Sequence, residues 1–336
     1  MKIKWVTNPE TIDKHFIASE VELGNNVIVQ FDDSTYTDEM LFDLNGLASE
    51  LNNNLQIRFY GHSNKIFDCK TLLKVKNVKS LSINCFKKVK NLNQLSELER
   101  LEKLIIGIED FKEIEILNSD NLKSIVELNL GDTKNLNLEH LKGYKKLNWL
   151  GISGQFKNLE SIGKIENLET LHLSSISKKE PLDFVNQLKK LKNLHISLGS
   201  RENIDEINGE QLETLKLLWI KNLQSLHNIS RFENLKYLQV ENQRNIETIE
   251  FDSEMKSLSR LGIINCKGLI KLKGLEHLKV LNTLVITRSL KLEFDNIINQ
   301  KLSATLKHFN FVTERKPLDK EIKEKSQQTL LKNYGV

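Results

Sequence analysis

The sequence predicts an α/β solenoid: short parallel strands stacked one per repeat into a curved sheet, with 3₁₀ and loop segments returning the chain behind it. Three observations predict it. A frame of three apolar residues, separated first by two residues and then by one, recurs from Val78 to Phe311. Its middle position falls at Leu81, Leu104, Leu128, Leu150, Leu171, Leu194, Leu215, Leu238, Leu261, Leu284 and Phe309, at steps of 21 to 25 residues. All 33 frame positions are apolar in a chain that is 39% hydrophobic, a regularity that this composition does not produce by accident.

The frame dictates its own local structure. Its last two apolar residues are two apart, so they share one face of a strand, and the spacers between them face the other way. Between strands the apolar spacing changes to three, as in Val89, Leu92, Leu95 and Leu98, or Leu269, Leu272, Leu275 and Leu278. Every third side chain aligns in a 3₁₀ segment, so the return path is predicted as 3₁₀ pieces and loops with an occasional helix. Strands pack closer than such segments, which places the sheet on the concave side.

The N-terminal segment is less regular. Ile3 and Trp5 alternate as a strand, and Asn8-Pro9-Glu10 reads as a helix start. Val27, Val29 and Phe31 alternate again, Thr37 precedes a helical pattern through Leu51, and Leu55, Ile57 and Phe59 form the next strand. Terminal repeats are commonly atypical because they shield the open end of the core. Further on, Asp183 to Leu191 is predicted as a short helix, and Gly199 to Gly209 is sparse in apolar residues. After Pro317, Leu318, Ile322, Leu330, Leu331 and Tyr334 among charges predict an amphipathic capping helix, with a solvated tail as the alternative. The chain thus divides into an N-terminal cap and irregular first repeats over 1–60, the array over 61–312, and a C-terminal capping helix or tail over 313–336.

The LxxLxL frame and its period of about 23 resemble the leucine-rich repeat proteins, whose repeats run 20 to 29 residues. The resemblance covers roughly residues 50 to 312 and implies a curved horseshoe with a parallel sheet on the concave face. One departure stands out. Many such repeats carry Asn five residues after the middle leucine, whereas this chain has Ile220, Gln243, Cys266 and Ser289 at such positions. INCKGLIKL, with Cys266, is closer to the cysteine-type variants, and the buried turn must be satisfied differently from repeat to repeat.

Composition narrows the function classes. Net charge is +4, from 49 Lys and Arg against 45 Asp and Glu, without the clustered basic face of a nucleic-acid binder. Cys69, Cys85 and Cys266 form neither a disulfide framework nor a CxxC pair. MKIKWVTNPE lacks an apolar signal core, and no run reaches the length of a membrane span. A monomeric cytoplasmic protein is expected, with Lys- and Asn-rich, Pro-poor wording that suggests a bacterial source. No phosphate loop, HExxH or GxSxG motif occurs, so no cofactor and no enzyme activity are expected. His172 and His195 occupy equivalent spacers in neighbouring repeats, where two imidazoles could meet a metal, but no third ligand is aligned with them.

The outward spacers are the expected site. Trp149, His172, His195, Lys216, Tyr237, Gln239, Glu241 and Arg260 fall on or at the end of predicted strands, and Trp219 lies just beyond one, either as binding surface or as cover for the core's flank. Tyr, Trp and Arg are the residue types that dominate interface energetics. The expected function is a non-catalytic scaffold that binds a partner protein through the concave face, with an inhibitor or immunity-type role as one form. The alternative is an exported effector or surface protein that binds a host molecule.

Overall fold

A computed structural model describes residues 2–32, 35–51, 54–61, 65–109 and 114–333. The chain forms two compact units, Met1–Leu168 and Glu169–Val336.

In the first unit the strands Ile3–Thr7, Asn26–Asp32, Leu55–Tyr60, Ser80–Phe86, Lys103–Ile108, Glu127–Asn137 and Trp149–Lys157 pair in that order, each parallel to the next. Register places Leu81 beside Leu104, Leu104 beside Leu128 and Leu128 beside Leu150. The frame therefore builds the sheet as its spacing requires. Helices α1 (Lys14–Glu22) and α2 (Asp38–Glu50) serve the first two crossovers. Shorter 3₁₀ segments such as Leu92–Glu97, Leu138–Gly143 and Leu159–Lys164 serve later ones, and they bury Leu92, Leu95, Leu138, Leu141, Leu159 and Ile162.

Thr37 caps α2, accepting a hydrogen bond from Met40 N at 3.2 Å, as its sequence predicts. The predicted start of α1 is corrected. Its cap is Asp13, which accepts from Phe16 N. Asn8 instead takes a left-handed conformation with φ +46°, and its Oδ1 accepts from Asp32 N at 2.8 Å and Thr35 Oγ1 at 2.9 Å. An Asn side chain that bonds turn groups competes with helix initiation. The first strand also carries a charge on its core-facing side: Lys4 shares the face of Val27 and pairs with Glu20 of α1 at 3.1 Å. An inward-pointing charge is one way an edge strand discourages further pairing.

In the second unit Thr170–Ser174, Asn193–Ser197, Thr214–Leu218, Tyr237–Glu241, Arg260–Ile264, Thr283–Thr287 and His308–Val312 pair in sequence, all parallel and in unbroken register. Across both units every frame residue is buried except Phe309, which is half-buried and stacks on Phe294 of the short helix α3 (Phe294–Ile298) at 5.9 Å. Helix α4 (Lys316–Asn333) follows the last strand. Asp319 ties it there, accepting from Thr313 N at 2.6 Å and Thr313 Oγ1 at 2.7 Å, and Ile322 is buried beneath it. Leu318 is partly exposed. The side chains of Leu330 and Leu331, and Tyr334 as a whole, lie outside the described residues.

The irregular repeats are held by guanidinium groups where apolar residues are sparse. The predicted helix at Asp183 is a 3₁₀ segment, Asp183–Gln187. Beside it Arg201, only 8% exposed, donates to Glu206 at 2.6 Å and to the Glu180 carbonyl at 3.2 Å. Arg231 lies over the Phe232 ring and donates to the carbonyls of Ile204, Ile207, His227 and Asn228 at 2.7 to 2.9 Å. Buried carbonyls need partners, and these side chains supply them.

The turn after each strand is satisfied by varied chemistry. Gln243 Nε2 donates to the Leu217 and Glu241 carbonyls at 3.1 and 2.8 Å. In the next repeat Cys266 Sγ takes the same role toward Val240 and Ile264 at 3.4 and 3.6 Å. Ser289 Oγ then bonds Thr287 O at 3.3 Å and accepts from Cys266 N at 3.1 Å. Amide, thiol and hydroxyl thus occupy one structural position in successive repeats, which explains how the array dispenses with a uniform asparagine ladder.

Candidate functional site on the outward sheet face

Strand alternation divides each repeat into buried frame residues and outward spacers. In the second unit the burial alternates residue by residue in most strands, so the spacers form rows across the sheet. One row is Thr170, Asn193, Thr214, Tyr237, Arg260 and Thr283. A second runs His172, His195, Lys216, Gln239 and Gly262, and a third runs Ser174, Ser197, Leu218, Glu241 and Ile264. Six of the predicted residues, His172, His195, Lys216, Tyr237, Gln239 and Glu241, come together on four adjacent strands, and Arg260 lies directly beside Tyr237.

The histidines do not form a chelate. Their rings stack with centroids 4.0 Å apart and planes 21° from parallel. Burial lowers the His172 pKa, with Lys216 adding to the effect. Burial, His172 and Lys216 together push His195 down to about 3. Both rings are neutral near pH 7. Lys216 Nζ lies 5.6 Å from the centre of the Tyr237 ring, within the range of a cation–π contact.

Polar side chains then link along the outward side of the Tyr237–Glu241 strand. Tyr237 Oη donates to Gln239 Oε1 at 2.8 Å, and Gln239 Nε2 donates to Glu241 Oε2 at 2.7 Å. Glu241 Oε1 accepts from Asn242 Nδ2 at 3.0 Å, and Asn265 Nδ2 donates to Asn242 Oδ1. This chain fixes the orientation of Tyr237, Gln239 and Glu241 relative to one another.

Trp219 is placed apart from the rows. It is 54% exposed, so it does not cover the core's flank. It is the first residue after its strand and adopts φ +56°. Ser175, Leu198, Asn242, Asn265 and Arg288 hold the equivalent left-handed position in neighbouring repeats. Asn tolerates that conformation, whereas large side chains adopt it at a cost. Leu198, one repeat earlier, is 48% exposed at φ +58°. Two exposed apolar side chains therefore occupy strained positions at neighbouring strand ends. The position recurs four residues after each middle frame leucine, but its residue type varies from Ser to Asn to Arg, so the frame does not mark which repeats expose an apolar side chain there.

The first unit presents its own outward face. Trp149 lies over Gly151, where an added Cβ would come within 2.7 Å of the indole. Trp5, which alternates with Ile3 on the first strand, is 54% exposed on this face, beside Ile28. Arg58 donates to Asn84 Oδ1 at 2.8 Å and Gln30 Oε1 at 2.6 Å while its guanidinium lies 4.6 Å from the centre of the Tyr60 ring.

No group of three His, Cys, Asp or Glu side chains among the described residues is disposed to hold a metal ion. Among the same residues no helix is long and apolar enough to cross a membrane.

The chain matches no protein-family model and no curated protein in sequence. Solved structures that resemble it include an internalin of Listeria monocytogenes, 19% identical, with a TM-score of 0.46 over 79% of this chain and 78% of that one. A leucine-rich repeat protein of Leptospira interrogans is 18% identical, with a TM-score of 0.37 over 86% and 90% of the two chains. A plant peptide hormone receptor in complex with RGF2 is 14% identical, with a TM-score of 0.37 over 93% and 72%. At such scores the fold rests on this chain's own features: a buried LxxLxL frame in strand after strand, parallel register and 3₁₀ returns are the leucine-rich repeat architecture.

Proposed function

We propose that this chain is a non-catalytic scaffold that binds another protein through the outward face of its sheet. The observation that carries the reading is the set Lys216, Tyr237, Gln239, Glu241 and Arg260, brought onto three adjacent strands and partly locked by side-chain hydrogen bonds. Preorganised aromatic and charged groups lower the ordering cost of association, and Tyr and Arg are typical interface anchors. The reading extends to a cytoplasmic inhibitor that acts by covering a partner's surface. Three free thiols, two of them buried, accord with a reducing compartment.

The test is affinity capture from the native cell with wild type and with a Trp149→Ala/Tyr237→Ala variant. A partner held by wild type and lost by the correctly folded variant supports the reading. A partner retained at full strength removes the outward face from consideration. Cell fractionation tests the compartment independently.

A further inference from the structure

On the outward face of the second unit, the charges are unevenly committed. Glu241 is engaged by two donated hydrogen bonds, from Gln239 and Asn242. Arg260 lies beside Tyr237 on the following strand, Lys216, beside Gln239 on the preceding one, brings its Nζ to 5.6 Å from the Tyr237 ring centre, and neither makes an ion pair among the described residues. By contrast, basic residues just before these strands are paired: Lys192 with Glu169 at 3.2 Å and Lys236 with Glu213 at 2.9 Å. The surface thus reserves two cations around one aromatic ring.

An apolar ledge lies at the strand ends beside them. Leu218 is the next outward residue after Lys216 on the same strand, at a distance of about 6.6 Å along it. Trp219 follows directly, and Leu198 donates its amide to the Leu218 carbonyl at 2.9 Å, which places it at the end of the neighbouring strand. Leu198 and Trp219 hold left-handed backbone conformations that favour Asn or Gly. The left-handed turn recurs in neighbouring repeats, and in these two its side chains are a Leu and a Trp that lie exposed at adjacent strand ends.

We propose that this face recognises an extended segment of a partner protein that carries an acidic side chain an even number of residues from a large apolar one. The carboxylate sits between Lys216 and Arg260 over the edge of Tyr237, and the apolar side chain rests on the ledge of Leu198, Leu218 and Trp219. Alternate side chains of an extended segment project from one side of it, so an even spacing lets both groups reach the sheet face. Charge complementarity selects the acid, because a basic side chain would meet two unneutralised cations. The inference rests on the sheet face being the protein-binding face, and it adds the chemistry of the partner.

The experiment pans a phage-displayed library of random, unconstrained octapeptides on the full chain, then measures the affinity of the best synthetic peptide for wild type and variants. Enrichment of Asp or Glu two or four residues from Leu, Ile, Phe or Trp is expected. The peptide's Kd should rise at least about tenfold in Lys216→Glu/Arg260→Glu and in Trp219→Ala, and should also rise with salt. Circular dichroism confirms that each variant is folded. Enriched peptides that lack an acid but lose binding on Tyr237→Ala or Trp219→Ala overturn the acidic partner while leaving the face protein-binding. Peptides indifferent to all these variants overturn both readings. A library without any enriched sequence overturns recognition of an extended segment.

Discussion

His172 and His195, twenty-three residues apart in sequence, stack their imidazole rings 4.0 Å apart on adjacent strands, and each is depressed in pKa chiefly by burial. The unfolded chain takes up these protons near the ordinary histidine value of 6.5, whereas folded His195 resists protonation down to about 3. In that window the unfolded state binds more protons, so stability rises with pH. The full contribution is present above pH 6.5 and is lost as pH falls toward 3. Thermal melts from pH 7.5 to 4 should show a declining Tm, and His195→Asn should flatten the decline. An unchanged slope in that variant would mean the stacked pair does not control the acid response.

Gly151 allows the Trp149 indole to lie against the sheet, since a Cβ there would meet the ring at 2.7 Å. Gly151→Ala should displace the ring without unfolding the protein, because the obstructed atoms belong to a side chain. The expected cost is about 1 kcal/mol, the low end for overpacking. A change in near-ultraviolet circular dichroism, with the far-ultraviolet spectrum preserved, is the signature. Identical near-ultraviolet spectra would show that the ring does not use this space.

Arg201 replaces apolar packing in the sparse repeat between Gly199 and Gly209. Arg201→Ala leaves Glu206 and the Glu180 carbonyl without that donor. Breaking a fully buried ion pair costs about 3–5 kcal/mol; because Glu206 is partly exposed, about 2 kcal/mol is expected. Urea unfolding measures the change, and Arg201→Ala/Glu206→Gln should recover part of the loss. A loss below about 0.5 kcal/mol would place the pair among ordinary surface contacts.

The three thiols should differ sharply in reactivity. Cys85 is exposed, Cys69 is buried, and burial pushes Cys266 up to about 11. Thiolate is the reactive form, so a thiol reagent at pH 8 should label Cys85 rapidly in the native protein. Cys69 and Cys266 should label only at the rate of unfolding. Fast labelling of Cys266, located by peptide mass spectrometry, would contradict its buried hydrogen-bonded position.

Trp219 offers a separation of stability from binding. Trp219→Asn replaces a strained side chain with the residue type that neighbouring repeats use at the same φ. Relief of the left-handed cost should raise stability by about 1 kcal/mol, while binding of a peptide selected on wild type falls. A variant that is less stable than wild type would show that the indole contributes packing despite its exposure.

The helix start at Asn8 and the flank position of Trp219 show where pattern reading stops. Asn8-Pro9-Glu10 has the composition of a cap, yet hydrogen bonds with a residue 24 positions away and another 27 away hold Asn8 in a turn. Trp219 looks equally suited to core or surface until the backbone conformation at the strand end is known. The outward residues are legible because strand alternation is local, whereas the exposure of Leu198 and Trp5 is not, because alternation does not say which face of an edge strand is covered or which turn side chains are exposed.

By itself the sequence determined the repeat, its register and which side chains are buried, because the LxxLxL spacing leaves a strand only one apolar face. Tertiary structure alone decided the rest. Stacking brought His172 against His195, set Lys216 and Arg260 on the strands to either side of Tyr237, and let Gln243, Cys266 and Ser289 share one role in successive turns. The reason is that spacers are free to vary without disturbing the frame. What they do depends on their neighbours one repeat away, and those neighbours are adjacent only after the strands have paired.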